Sequence, residues 1–135
     1  MKNVFVDTNI FLRYLTGDDP LKYEKCRELF KKAVNGKISL LTSHMVIAEL
    51  IWTLQSFYKV PKEDVIDKMS AVINTPNLSV PGRTLIAEAL SIYGRNNVDY
   101  IDAYNAVFMK HNSSKKILFY DADFDIFDDI KRIEP

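Results

Sequence analysis

Four carboxylates, Asp7, Glu49, Asp102 and Asp121, stand at the end of an apolar run or inside one. Asp7 closes Val4-Phe5-Val6 and is followed by Thr8 and Asn9 before Ile10-Phe11-Leu12. Glu49 lies within Met45-Val46-Ile47-Ala48-Glu49-Leu50-Ile51-Trp52, and Asp102 within Tyr100-Ile101-Asp102-Ala103-Tyr104. Asp121 follows Ile117-Leu118-Phe119-Tyr120. A lone carboxylate withdrawn from water is strongly penalised and tends to neutralise by a raised pKa. Gathering several around Mg2+ or Mn2+ reverses that penalty, because hard divalent cations take oxygen ligands. The pattern therefore predicts a metal site built from these four acids.

Each acid taken singly has a structural alternative. Asp7 and Asp121 suit helix N-caps, where a carboxylate bonds a free backbone N–H. Glu49 and Asp102 could pair with Lys or Arg. The joint structural reading asks for two acids buried mid-helix, each with its own cation, whereas one metal site accounts for all four.

The elements that must position these acids alternate between strand and helix. Residues 2 to 6 read as a first strand and 10 to 15 as a short helix, stopped by Thr16-Gly17-Asp18-Asp19-Pro20. Pro20, after Asp18 or Asp19 as cap, opens a second helix to about Val34, closed by Asn35-Gly36. Residues 38 to 41 form a second strand. Thr42 or Ser43 then caps a helix through Tyr58, whose Val46, Ile47, Leu50, Ile51 and Leu54 recur at helical spacing and place Glu49 beside the buried stripe. Pro61 starts a helix over residues 63 to 73 with Val65, Ile66, Met69, Val72 and Ile73 inward. Residues 77 to 80 read as a strand, 83 to 93 and 99 to 111 as helices, 117 to 119 as a strand and 130 to 133 as a final edge strand. This order predicts an α/β fold, a three-layer sandwich with a mainly parallel central sheet flanked by helices, as a single domain over residues 1–135. Open parallel sheets bind ligands beyond the carboxyl ends of their strands. Asp7 and Asp121 directly follow strands, and Glu49 and Asp102 lie a turn or two inside helices.

At 135 residues and 47% apolar content the chain suits one domain with one core. It has no apolar stretch of membrane-spanning length and no basic segment leading into a signal core, so a cytoplasmic protein without membrane attachment is expected. Cys26 is the single cysteine, which excludes a disulfide framework and a thiolate cluster. Lys plus Arg equals Asp plus Glu at 18 each, so bulk charge does not announce a nucleic-acid binder. Acids neutralised by metal would leave a basic remainder, with Lys22, Lys25, Arg27, Lys31 and Lys32 on one helix and Lys110, Lys115 and Lys116 later. The same lysines also suit an ordinary solvated face. His44 and His111 have no acidic sequence neighbour and read as surface or helix-cap residues.

Four segments then take on meaning together. Val6-Asp7-Thr8-Asn9-Ile10, Ser43 to Glu49-Leu50, Asp99-Tyr100-Ile101-Asp102-Ala103 and Phe119-Tyr120-Asp121-Ala122-Asp123-Phe124 resemble, in order and across essentially the whole chain, the motifs of PIN domains. The resemblance implies a metal-dependent nuclease. Small single-domain prokaryotic members are commonly toxins of the VapC type, ribonucleases held in check by an antitoxin protein. It makes Asp7, Glu49 and Asp102 the core acidic set and Asp121 the fourth, more variable acid. Because Asp121, Asp123 and Asp125 alternate, Asp123 competes with Asp121 for that place. Thr8 and Asn9 match supporting polar positions, Asp99 suits a cap or an outer ligand, and Ser43 suits a cap that also reaches the site.

The resulting expectation is a Mg2+- or Mn2+-dependent endoribonuclease. Phosphodiester hydrolysis needs charge relief on the phosphate and a nucleophile available near neutral pH, and a divalent metal supplies both. Asp7 and Asp102 are expected as inner ligands, Glu49 as a ligand or the base that orients water, and Asp121 as an aid to a second ion. In-line attack by water leaves a 5′ phosphate and a 3′ hydroxyl. Rim lysines and exposed aromatics, from among Tyr14, Tyr23, Phe57, Tyr58 and Tyr104, would grip the RNA substrate. Trp52, Phe57 and Tyr58, with Val65, Ile66 and Met69 on the next helix, predict a homodimer interface. A separate groove is expected for an antitoxin segment whose Arg or Lys reaches the acids. Three alternatives compete: an RNA-processing nuclease without an antitoxin, a haloacid dehalogenase-like phosphatase and a non-enzymatic receiver-like domain. The phosphatase usually carries a second aspartate two positions after the first, where this chain has Asn9. The receiver needs a phosphorylatable Asp after a middle strand and a late Lys.

Overall fold

Three short strands pair in parallel to start the fold: β1 (Asn3–Phe5) lies beside β2 (Ser39–Leu41), and β2 beside β3 (Leu78–Ser79). The computed structural model describes residues 3–120 and 123–135, and in these the chain divides into two compact units, Met1–Arg83 and Thr84–Pro135.

In the first unit four helices accompany the sheet: α1 (Thr8–Thr16), α2 (Pro20–Val34), α3 (His44–Ser56) and α4 (Lys62–Ile73). Their ends follow local chemistry. Gly17 closes α1 at φ 63°, a left-handed turn that a Cβ would strain, and its N–H bonds the Arg13 carbonyl. Asp19 caps α2 ahead of Pro20 by accepting from the Lys22 amide at 3.2 Å, and Ser43 caps α3 by accepting from the Val46 amide at 3.2 Å. Helix α1 packs on α2 and α3, and α3 on α4. The interior between them holds Phe11, Phe30, Leu40, Ile47, Leu50, Ile51, Leu54, Val65 and Met69, all buried.

The second unit comprises α5 (Arg83–Arg95), α6 (Tyr100–His111), β4 (Lys116–Leu118), a 3-10 helix (Asp123–Ile126) and β5 (Lys131–Ile133). Strand β5 pairs in parallel with β4, Lys116 facing Lys131 and Leu118 facing Ile133. Ala106, Met109 and Phe124 form one buried apolar cluster in it, with Ile117, Phe119, Phe127 and Ile130 against them; Ile86, Ala89, Leu90 and Tyr93 of α5 are buried as well.

The α/β character and the parallel pairing agree with the sequence, and every pairing among the described strands is parallel. Two expectations need correction. Helix α3 stops at Ser56, with Tyr58 beyond its end. The apolar surface offered for a homodimer shrinks, because Val65 and Met69 are fully buried and Ile66 is half-buried. Val65 and Met69 recur one helical turn apart on α4, which packs on α3, and the monomer itself covers them. No described helix is long and apolar enough to cross a membrane.

Candidate functional site

The carboxyl ends of the three parallel strands are tied together. The Val6 amide donates to the Leu41 carbonyl at 2.8 Å, the Thr42 amide to the Ser79 carbonyl at 3.0 Å, and the buried Thr42 hydroxyl to the Val6 carbonyl at 2.9 Å. Continuing the β1–β2 register by two residues sets Asp7 opposite Ser43 at this edge. Both leave the sheet as the first residue outside a helix.

Helix starts usually use the cap side chain to hold an N2 or N3 amide. Asp19 and Ser43 do so, each reaching the N3 amide. Asp7 does not: its Oδ1 accepts at 2.8 Å from Thr8, the very next amide. Asp99 occupies the cap position of α6 with no capping bond from its side chain. The two acids at motif positions are thus the two that are not engaged in ordinary capping.

Glu49 is the sixth residue of α3, about 9 Å along the helix axis from Ser43 at 1.5 Å per residue. Expected beside the buried stripe, it is exposed, as is Asp7. The sequence neighbours of Glu49 are apolar, but its helix-surface neighbours at i−4 and i+3 are Met45 and Trp52, both exposed. Burial therefore does not force a cation onto Asp7 or Glu49. Among the described residues neither joins an ion pair.

In the second unit Asp102 is half-buried in the first turn of α6, between buried Tyr100 and Ala103. Asp121 lies outside the described residues, and Asp123 opens the 3-10 helix. Asp125 is engaged by the Arg132 guanidinium at 3.2 Å, which takes it out of the alternating acidic run as a free donor. Thr8 is buried and Asn9 exposed in the first turn of α1. An all-oxygen donor set of Asp and Glu has the chemistry a hard divalent cation takes. Among the described residues no three Asp, Glu, His or Cys side chains are gathered as around a cation.

The histidines differ from one another. His44 is half-buried at the start of α3, and burial holds its pKa below the usual histidine value. His111 meets Glu88 of α5 at 2.9 Å, and Lys110 meets the same carboxylate at 3.2 Å. These bonds, from His111 and then Lys110, hold Glu88 below the usual carboxylate range. Sequence reading missed this acid because it lies on a different helix. Of the proposed stacking aromatics, Tyr14 is packed on Phe30 and Tyr23, and the Tyr58 hydroxyl donates to Asp18. Phe57 is 73% exposed. The first unit also holds a cavity of about 440 Å³ whose lining includes Phe11, Tyr14, Phe30 and Val72 together with Arg27 and Lys31.

A PIN domain model matches residues 4–130, a span that contains all four motif acids, and the chain belongs to the PIN domain family. The phosphatase-like and receiver-like readings fall with that assignment. A VapC ribonuclease of Aquifex aeolicus (strain VF5) is 24% identical over 119 residues, covering 88% of this chain and 87% of that protein. The crystal structure of Mycobacterium tuberculosis VapC20, described as a sarcin-ricin loop cleaving toxin, aligns over 97% of this chain and 98% of its own at 15% identity and a TM-score of 0.41.

Proposed function

We propose that this chain is an endoribonuclease, the toxin of a toxin–antitoxin pair, that hydrolyses RNA phosphodiester bonds with Mg2+ or Mn2+ in the cytoplasm. The observation that carries the reading is the PIN match over residues 4–130, which takes in Asp7, Glu49, Asp102 and Asp121 in motif order. Asp7, Asp102, Glu49 and a fourth acid at Asp121 or Asp123 would hold the cation. When bound, it neutralises phosphate charge and makes water a competent nucleophile near neutral pH.

The chain's own groups do the remaining work. The Thr8 amide aims the Asp7 carboxylate by donating to its Oδ1, and the other oxygen would meet the ligand. The Thr42 hydroxyl fixes the carbonyl immediately before Asp7. Glu49, exposed and outside any ion pair among the described residues, accepts the proton of the attacking water. Ser43 sets the start of the helix that carries Glu49, and Asp99, free of capping duty, supports Asp102 as an outer ligand.

The antitoxin reading draws support from the cavity of about 440 Å³ in the first unit, an apolar recess with Arg27 and Lys31 in its lining. A partner segment with an apolar anchor fits it, and a cation further along that segment would compete with metal for the acids. A homodimer would use Phe57, the most exposed of the aromatics first assigned to that surface. The test is cleavage of a labelled single-stranded RNA by the purified chain with Mg2+, with Mn2+ and with chelator. Metal-dependent cleavage that disappears in Asp7→Asn and Asp102→Asn supports the reading. Cleavage at full rate in either variant would remove that acid from the mechanism.

A further inference from the structure

We infer that Trp52 is a stacking platform for an unpaired base of the RNA substrate, holding the nucleotide beside Glu49. The inference rests on the nuclease reading and adds a substrate-binding residue to it. Trp52 is the chain's only tryptophan. It lies in the middle of α3 and is 66% exposed, although the same helix buries five apolar residues on its inner face. At 100° per residue, Met45, Glu49, Trp52 and Ser56 fall on one narrow stripe, spaced i, i+4, i+7 and i+11. Met45 is 81% exposed, so the stripe reads thioether, carboxylate, indole along open surface.

The placement of Glu49 decides what touches this face. While the enzyme turns over, no protein can sit across both Met45 and Trp52, because it would also cover Glu49 between them and close the carboxylate that the reaction needs. An RNA strand brings base and phosphate together and leaves Glu49 facing the phosphate. Trp52 follows Glu49 by about 4.5 Å along the helix axis, so a base on the indole belongs to a nucleotide at or next to the scissile bond. Glu49 repels the backbone until cation is present, and an uncharged grip is the kind that works beside it. The indole face stacks on any base, and the Met45 thioether packs softly against the edge of a ring. This predicts tolerance of base identity with a requirement for an unpaired strand.

Because the chain holds one indole, binding is readable apart from catalysis. Titration of Asp7→Asn with a single-stranded RNA oligonucleotide should quench Trp52 fluorescence saturably, and a duplex of the same sequence should quench it far less. In the wild-type background with Mn2+, Trp52→Ala should raise KM by about 5- to 150-fold, the range alanine substitution gives for a base–aromatic stack, with a smaller change in kcat. Trp52→Phe should recover most of that loss. Wild-type cleavage with an unchanged KM in Trp52→Ala and an unquenched indole would overturn the inference and leave the nuclease standing. No cleavage by the wild type with either metal removes the underlying reading, and the inference with it. If light scattering shows that Trp52→Ala turns a dimer into a monomer while RNA leaves the emission unchanged, the face belongs to a second copy and the inference is wrong.

Discussion

Thr42→Val removes one hydroxyl and nearly preserves side-chain volume, at the point where β1 and β2 end. Thr42 is 1% exposed and Val6 2%, and the hydroxyl donates to the Val6 carbonyl at 2.9 Å. Losing the donor leaves a buried carbonyl short of a partner, a penalty of about 1–3 kcal/mol, partly offset because a methyl is more easily buried than a hydroxyl. A net loss of about 1–2 kcal/mol follows, which for a chain of this size lowers the thermal midpoint by roughly 3–8 °C. Asp7 is the next residue, so its carboxylate shifts with the freed turn. A displacement approaching 1 Å reduces turnover by up to about a hundredfold. Thr42→Ser keeps the hydroxyl and loses only a methyl, about 1 kcal/mol, and should keep most of the activity. The assay is thermal unfolding beside RNA cleavage for wild type, valine and serine. A valine variant with an unchanged midpoint and full cleavage would refute the role of this bond. Equal loss of cleavage in both variants would show that the methyl matters and the hydroxyl does not.

Asp7→Asn and Asp102→Asn should reduce RNA cleavage to background with an unchanged circular dichroism spectrum, and Glu49→Gln should follow closely; a folded, fully active variant counts against that residue. Mg2+ or Mn2+ at about a hundred times its dissociation constant should stabilise the wild type by about 2.7 kcal/mol, and by much less in Asp7→Asn, as read by differential scanning calorimetry. Burial holds His44 below the usual histidine value of about 6.5. The unfolded chain therefore takes up a proton before the folded one, and stability falls as pH drops from that value toward the folded pKa. Denaturant titrations at stepped pH should show this slope flattened in His44→Gln. Met69→Ala should lose about 2–5 kcal/mol as a core truncation; a loss under 1 kcal/mol with a change of oligomeric state would return Met69 to an interface.

Much of the fold was legible because it is written in local chemistry. Pro20 after Asp19, Ser43 before an apolar stripe and Gly17 after α1 each set a helix end through φ restriction or a side-chain bond a few residues away. The helix boundaries consequently stand within a few residues of where the sequence puts them. The motif acids were legible in the same way, as polar residues that interrupt apolar runs. Their environment was not. Glu49 looked buried from its sequence neighbours and is exposed, since on a helix the residues at i−4 and i+3 form its surroundings and their own exposure depends on what packs there. Asp125 looked equivalent to Asp121 and Asp123 until Arg132 claimed it.

By itself the sequence determined the helix ends, the alternation of strand and helix, and the order of the four acidic motifs, because each rests on interactions spanning a few residues. Only tertiary structure decided which apolar faces are covered, as with Val65 and Met69 against the exposed Trp52. It also decided that Glu88 meets His111 across 23 positions, and that Thr42 reaches back 36 residues to hold the turn before Asp7. The physical reason is common to all three. Burial and long-range hydrogen bonds depend on which surfaces the folded chain brings together, and no window of sequence contains both partners.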